Sequence, residues 1–190
     1  METKHTKYQS IVLMGKTGSG KGTQAKLLAD ALGYPIFSTG DKAREIGAQD
    51  TSLGRKIREI HVSGWIPEWL ASYLMVRVLL EEHPNDGLVF ESVARKPLEA
   101  EKFHEIHEMV GRSYIVVHLD IEDDLVIERM RKRNRDESDS EANIQNRLRA
   151  FREETVQSLE FFRSHGKVVT VDADQNPENV FEDVLSLITV

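Results

Sequence analysis

Short apolar runs along this chain alternate with longer stretches in which apolar residues recur every three or four positions. Ile11-Val12-Leu13-Met14 is rich in β-branched residues, ends at Gly15, and predicts a strand buried on both faces. Ala25, Leu28, Ala29 and Leu32 then fall at helical spacing, with Gly33 as a stop signal. Ile36-Phe37 predicts a second strand. It leads into "STGDKAREIG", a helix for which Ser38, Thr39 and Asp41 are candidate caps. Two or three further helices fit between Leu53 and Leu80, one of them opened by Pro67 and Glu68 and running through Leu70, Leu74 and Leu79. "GLVFES", "YIVVHLD" and "KVVTVDA" predict the third, fourth and fifth strands. "EAEKFHEIHEMV" predicts a helix with Phe103, Ile106, Met109 and Val110 on one side, and "DDLVIERMRKR" another. "SDSEANIQNRLRAFREETVQSLEFF" reads as one long helix with Ile144, Leu148, Phe151, Leu159 and Phe162 inward. "PENVFEDVLSLI", opened by Pro177, is the last helix. Strands alternating with helices imply an α/β fold of three layers, α/β/α, on a five-stranded parallel sheet.

Composition narrows the class. A length of 190 residues fits a single domain, and 39% hydrophobic with 30% charged residues fits a soluble globular one. Cysteine is absent, so disulfides and thiolate metal sites are excluded, and a cytoplasmic location is expected. "METKHTKYQS" has no apolar core of a signal peptide, and no run approaches the ~18 apolar residues of a membrane helix. A net charge of −7 argues against broad nucleic-acid binding and for local positive charge wherever a phosphorylated ligand is held. The basic run Arg129, Arg131, Lys132, Arg133 and Arg135 offers such charge, with Arg129 and Arg133 on one helical face and Arg131 and Arg135 on another. His104 and His107 lie three apart without a third ligand and read as surface histidines.

The candidate chemistry begins at "GKTGSGKGTQ", Gly15 to Gln24, which contains two Gly-Lys pairs. Glycines at a strand-to-helix turn let backbone N–H groups approach phosphate oxygens, and the helix end adds a favourable dipole. A phosphate lysine needs a glycine about six positions earlier, at the end of the strand. Lys21 has Gly15 there, whereas Lys16 would need one inside the strand, so Lys21 is the phosphate lysine. Gly22 then stands where the common pattern has Ser or Thr, and the hydroxyl is displaced to Thr23.

That loop resembles G-x-P-G-x-G-K-G-T-Q of the adenylate kinase family, with Thr17 in place of Pro. "FSTGDKAREI" resembles I-S-T-G-D-x-x-R, which implies Thr39 and Arg44 at the acceptor monophosphate. "SGWIPEWL" resembles G-x-L-V-P-D-E and points to Ile66 beside the acceptor base; Trp65 and Trp69 read as helix-packing aromatics. "VFESVARKPLEA" resembles L-x-D-G-F-P-R-T-x-x-Q-A. It departs at Glu91, Ser92, Val93, Ala94 and Glu99 but keeps Arg95. By the same resemblance Arg129 and Arg133 meet the ATP adenine and phosphate, Arg135 belongs to the lid, and Arg147 to the helix after it.

The resemblance implies a single kinase domain over residues 1–190, with an acceptor-binding helical insertion at about 38–80 and a short lid at about 133–143. It implies ATP-dependent phosphoryl transfer to a nucleoside monophosphate, AMP first, by a monomer with no nucleic-acid or membrane partner. Gly15, Gly18, Ser19, Gly20, Lys21, Gly22 and Thr23 would surround the ATP phosphates. Lys21, Arg95, Arg133, Arg135 and Arg147 would surround the transferred group, and Glu91 would reach Mg²⁺ through water. Glu99 leaves the base open: ionised, it accepts two hydrogen bonds from guanine but meets the N1 lone pair of adenine. A GMP kinase or a weakly catalytic nucleotide-binding homologue are the alternatives. A shikimate- or gluconate-type kinase would carry a strict G-K-[ST] loop and lack "STGD" with its arginine.

Overall fold

Strand β1 (Ser10–Gly15) is buried along its length and divides the molecule into two cores. The computed structural model describes residues 5–63, 66–81, 87–133 and 140–189. Successive side chains of a strand point to opposite faces. Val12 and Met14 accordingly join one core, and Ile11 and Leu13 the other. The same division runs through β3 (Leu88–Glu91) and β4 (Tyr114–Asp120), where Phe90, Tyr114 and Val116 oppose Val89, Ile115 and Val117. β2 (Ile36–Ser38) and β5 (Val168–Asp172) complete a parallel sheet in the order β2-β3-β1-β4-β5.

Helix α1 (Lys21–Leu32) covers the Ile11 face with α6 (Asp123–Arg133), α7 (Glu141–Ala150) and α9 (Pro177–Ile188). The Val12 face packs on α5 (Pro97–Val110), α8 (Val156–Ser164) and, from the insertion between β2 and β3, α2 (Thr39–Ala48), α3 (Ser52–Ser63) and α4 (Glu68–Glu81). Phe90, Phe103, Tyr114 and Phe162 meet edge to face in this core. Burial of each such side chain contributes about 1.5–3 kcal/mol. The α/β architecture predicted from the alternating runs is the one observed.

Three details differ from the sequence reading. The long helix expected over "SDSEANIQNRLRAFREETVQSLEFF" is divided by a π turn, Phe151–Thr155. Its neighbours serve different cores, Ile144 and Leu148 on one side of the sheet and Leu159 and Phe162 on the other. The extra residue in the π turn shifts the phase of α8 and allows that change of face. On α5, Met109 is 72% exposed and Val110 is exposed too, while His107 is fully buried. His107 faces the sheet because it stands four residues after Phe103, and it bonds the Phe103 carbonyl at 2.7 Å and Ser10 Oγ at 2.9 Å. Burial pushes its imidazole down to about 4, so it is a neutral core residue and not a surface histidine. Trp69 is 61% exposed and packs little; Trp65 lies outside the described residues.

Candidate active site

At the carboxyl ends of β1 and β3 lies a cleft of about 1630 Å³, walled by the starts of α1 and α2. The chain leaves β1 towards β2 on one side and later reaches β4 on the other. Open parallel sheets bind ligands at such a switch point.

The loop from Gly15 to Gly20 forms the cleft floor. The Ser19 amide donates to the Lys16 carbonyl at 3.2 Å and Gly18 takes φ 77, which closes a type II turn with Thr17 and Gly18 at its centre. A Cβ on Gly15, whose φ is 153, would lie 2.5 Å from the Leu119 carbonyl. Gly20, at φ 94, is the N-cap of α1, and no side chain caps that end. A helix start without a side-chain cap is a place where an anion can meet backbone amides. Ser19 is buried beneath the loop and Thr23 is exposed on the first turn.

The two lysines point to different partners. Lys21 folds back over the loop, its amine donating to the Gly15 and Lys16 carbonyls at 2.9 and 2.7 Å. Lys16 donates to the Ile121 carbonyl at 2.6 Å and pairs with Asp123 at 2.7 Å. It is an anchor between the loop and the start of α6.

Gly22 lies against Glu91. A Cβ at Gly22 would lie 3.3 Å from Glu91 Oε1, so a larger residue would crowd the carboxylate against the loop. Mg²⁺ usually takes one or two carboxylates together with substrate phosphates and water. A half-buried Glu91 beside the glycine loop fits that donor set. Among the described residues no three His, Cys, Asp or Glu gather into a protein-only metal site.

The opposite wall carries the acceptor candidates. Thr39, the first residue of α2, is buried and lines the cleft. Arg44 lines it as an exposed side chain paired with Asp41. Ile66 is buried and also borders the space.

Arginines complete the lining. Arg95, Arg129 and Arg147 all line the cleft. Burial opposes the charge of Arg95; Glu99 supports it, Arg147 opposes it, and Glu154 and Glu91 support it. Guanidiniums lining one cleft favour a polyanionic ligand there. Arg129 donates to the Gln175 carbonyl at 3.4 Å. Arg131 and Lys132 instead pair outside the cleft with Glu141 and Glu128. Arg135 lies outside the described residues, as does the side chain of Arg133.

Glu99 is not on the cleft surface. It is buried at the third position of α5, and its carboxylate accepts from the Arg95 amide at 3.0 Å. Burial pushes its carboxyl up, against the opposing pull of Arg95.

Sequence comparison decides the family. The family model described as "Adenylate kinase" matches residues 13–167. The adenylate kinase of Nocardia farcinica is 35% identical over 177 residues, covering 92% of this chain and 96% of the relative. That of Corynebacterium urealyticum is 34% identical, with 92% and 96% covered. "Adenylate kinase 1" of a Nostoc species is 32% identical, with 92% and 95% covered. The chain belongs to the adenylate kinase family. It is a nucleoside monophosphate kinase with a site that departs from the family pattern mainly after β3.

There Ser92 takes φ 61 and Ala94 takes φ 52, where the adenylate kinase pattern has Gly and Pro. Proline's ring holds φ near −65°, so it does not fit the conformation of Ala94. No cis peptide occurs among the described residues. Arg95 reaches the cleft from this left-handed turn.

Sequence reasoning missed the far rim, where Gln175 and Pro177 line the cleft and Gln24 donates to the Pro177 carbonyl at 2.8 Å. Gln24 belongs to the quoted loop pattern and was the available signal. The Lys16–Asp123 contact joins residues 107 positions apart and left no local signal.

Proposed function

We propose that this adenylate kinase family member transfers the γ-phosphoryl group of ATP to AMP, giving two ADP, as a cytoplasmic monomer. The observation that carries the reading is one cleft lined together by Lys21, Arg95, Arg147, Thr39 and Arg44. ATP phosphates would occupy the glycine loop, and the acceptor phosphate would lie against Arg44 and Arg95. Arg129 and Arg133 would serve ATP, with Arg135 from the lid. The acceptor's phosphate oxygen bonds to the γ-phosphorus as the bond to the bridging oxygen of the departing ADP breaks. Positive charge around the equatorial oxygens is the protein's main contribution. Glu91 would hold Mg²⁺ through water, and the ion would neutralise charge on the ATP phosphates. The insertion at about 38–80 and the lid at about 133–143 would close over the cleft and exclude water.

AMP is favoured over GMP because the Glu99 carboxylate is engaged by the Arg95 amide and does not line the cleft. Ile66 borders the acceptor side and is the candidate neighbour of the base. A turnover panel with ATP and AMP, GMP, CMP or UMP tests the reading. AMP should be the best acceptor in both the unaltered chain and Glu99→Gln. A GMP preference that Glu99→Gln abolishes would overturn it.

A further inference from the structure

Lys16 is a glycine-loop side chain with two partners outside the loop that the proposed reaction does not use. Its carbonyl is position i of the type II turn and accepts both the Ser19 amide, at 3.2 Å, and the Lys21 amine, at 2.7 Å. The site of Lys16 thus fixes where that turn begins and where the Lys21 amine rests. Thr17 occupies the second turn position. Proline is favoured there because its ring presets the backbone angle. Threonine presets nothing, so the loop needs its order from elsewhere.

The Lys16 side chain supplies an anchor from outside the loop. Its amine reaches the Ile121 carbonyl and Asp123, and is mostly buried, with 17% of its side chain exposed. The second oxygen of Asp123 pairs with Arg152 in the π turn. Lys16 and then Arg152 hold the Asp123 carboxyl below the usual range, with burial opposing them. Arg152 follows α7, the helix that carries Arg147 into the cleft.

We propose that Lys16, through Asp123, is a positioning residue that preorganises the glycine loop for ATP in place of the proline the turn lacks. The inference rests on the proposed use of this loop for ATP phosphates. It concerns binding, so it is read separately from turnover. Presetting one backbone position is typically worth about a two- to fivefold change in an equilibrium.

The test is calorimetric titration of the full chain with Mg²⁺-ATP and, separately, with the preferred monophosphate acceptor. Lys16→Met and Asp123→Asn should each weaken ATP about two- to fivefold and leave acceptor affinity unchanged. Lys16→Arg, which keeps the charge, should stay near the unaltered protein. Adding Thr17→Pro to Lys16→Met should restore ATP affinity, which a merely structural role for Lys16 would not produce. The proposal is overturned if Lys16→Met binds ATP normally, if both nucleotides weaken alike, or if Thr17→Pro restores nothing. ATP binding without turnover would remove the proposed function and leave this inference to be judged by the same titrations. Failure of the unaltered chain to bind ATP would overturn both.

Discussion

Two turns border the cleft, the glycine loop between β1 and α1 and the Ser92–Lys96 turn between β3 and α5. Both use left-handed backbone. The first places glycine at φ 77 and φ 94, and the second places Ser92 and Ala94 at φ 61 and φ 52. A left-handed non-glycine residue costs roughly 1–2 kcal/mol, which glycine avoids. The glycine loop is therefore relaxed in its shape, whereas the second turn is held against its preference. Its holder is Glu99, which takes the Arg95 amide while Pro97 starts the helix. One turn lines the cleft with glycine backbone; the other brings the Arg95 side chain to it.

The largest effect should come from the loop. Lys21→Met is expected to lower turnover by at least about a hundredfold with little change in thermal midpoint, as loss of one charge-stabilising donor commonly does. Steady-state kinetics beside a thermal melt checks this. Gly15→Ala comes next. Its new methyl meets backbone, the Leu119 carbonyl, so a destabilisation of about 3 kcal/mol is expected in urea unfolding.

The second turn should respond more mildly, and to its support. Glu99→Ala leaves the Arg95 amide without its acceptor and should cost about 1–2 kcal/mol, with kcat falling as Arg95 loosens. Glu99→Gln keeps an acceptor oxygen and should retain most of that stability. It should also change the pH profile. The folded Glu99 carboxyl lies above its unfolded value, so its stabilising contribution is full below the unfolded value and is lost as pH rises through the folded one. Unfolding free energies measured across that window should decline less in Glu99→Gln.

The smallest effect tests the strain itself. Ser92→Gly should stabilise the protein by about 1 kcal/mol, opposite in sign to Gly15→Ala. If Ser92→Gly destabilises the fold, the contrast between a relaxed and a held turn is lost.

The regions also differ in how far they can be read from sequence. The strand-loop-helix around Lys21 is legible because each glycine answers a local steric or ligand demand, and β1 shows its buried alternation within a few residues. The turn after β3 obeys a tertiary demand. Pro97 followed by Glu99 is a local helix-start signal, but the bond from the Arg95 amide to the Glu99 carboxylate depends on the path of the turn before it. The π turn was hidden because Leu148, Phe151, Thr155 and Leu159 keep spacings of three and four in either geometry. The burial of His107 depends on Ser10, 97 positions away. The reach of Lys16 depends on the strand order, which places β1 beside β4.

The π turn joins a helix packed on one face of the sheet to a helix packed on the other. A continuous rod of hydrogen-bonded backbone thereby spans both apolar layers. Melting one layer pulls on the cover of its neighbour, so the two are coupled mechanically as well as through the strands. Native-state hydrogen exchange should reveal this as cooperativity, with amides of α7 and α8 opening in a shared unit despite belonging to opposite sides.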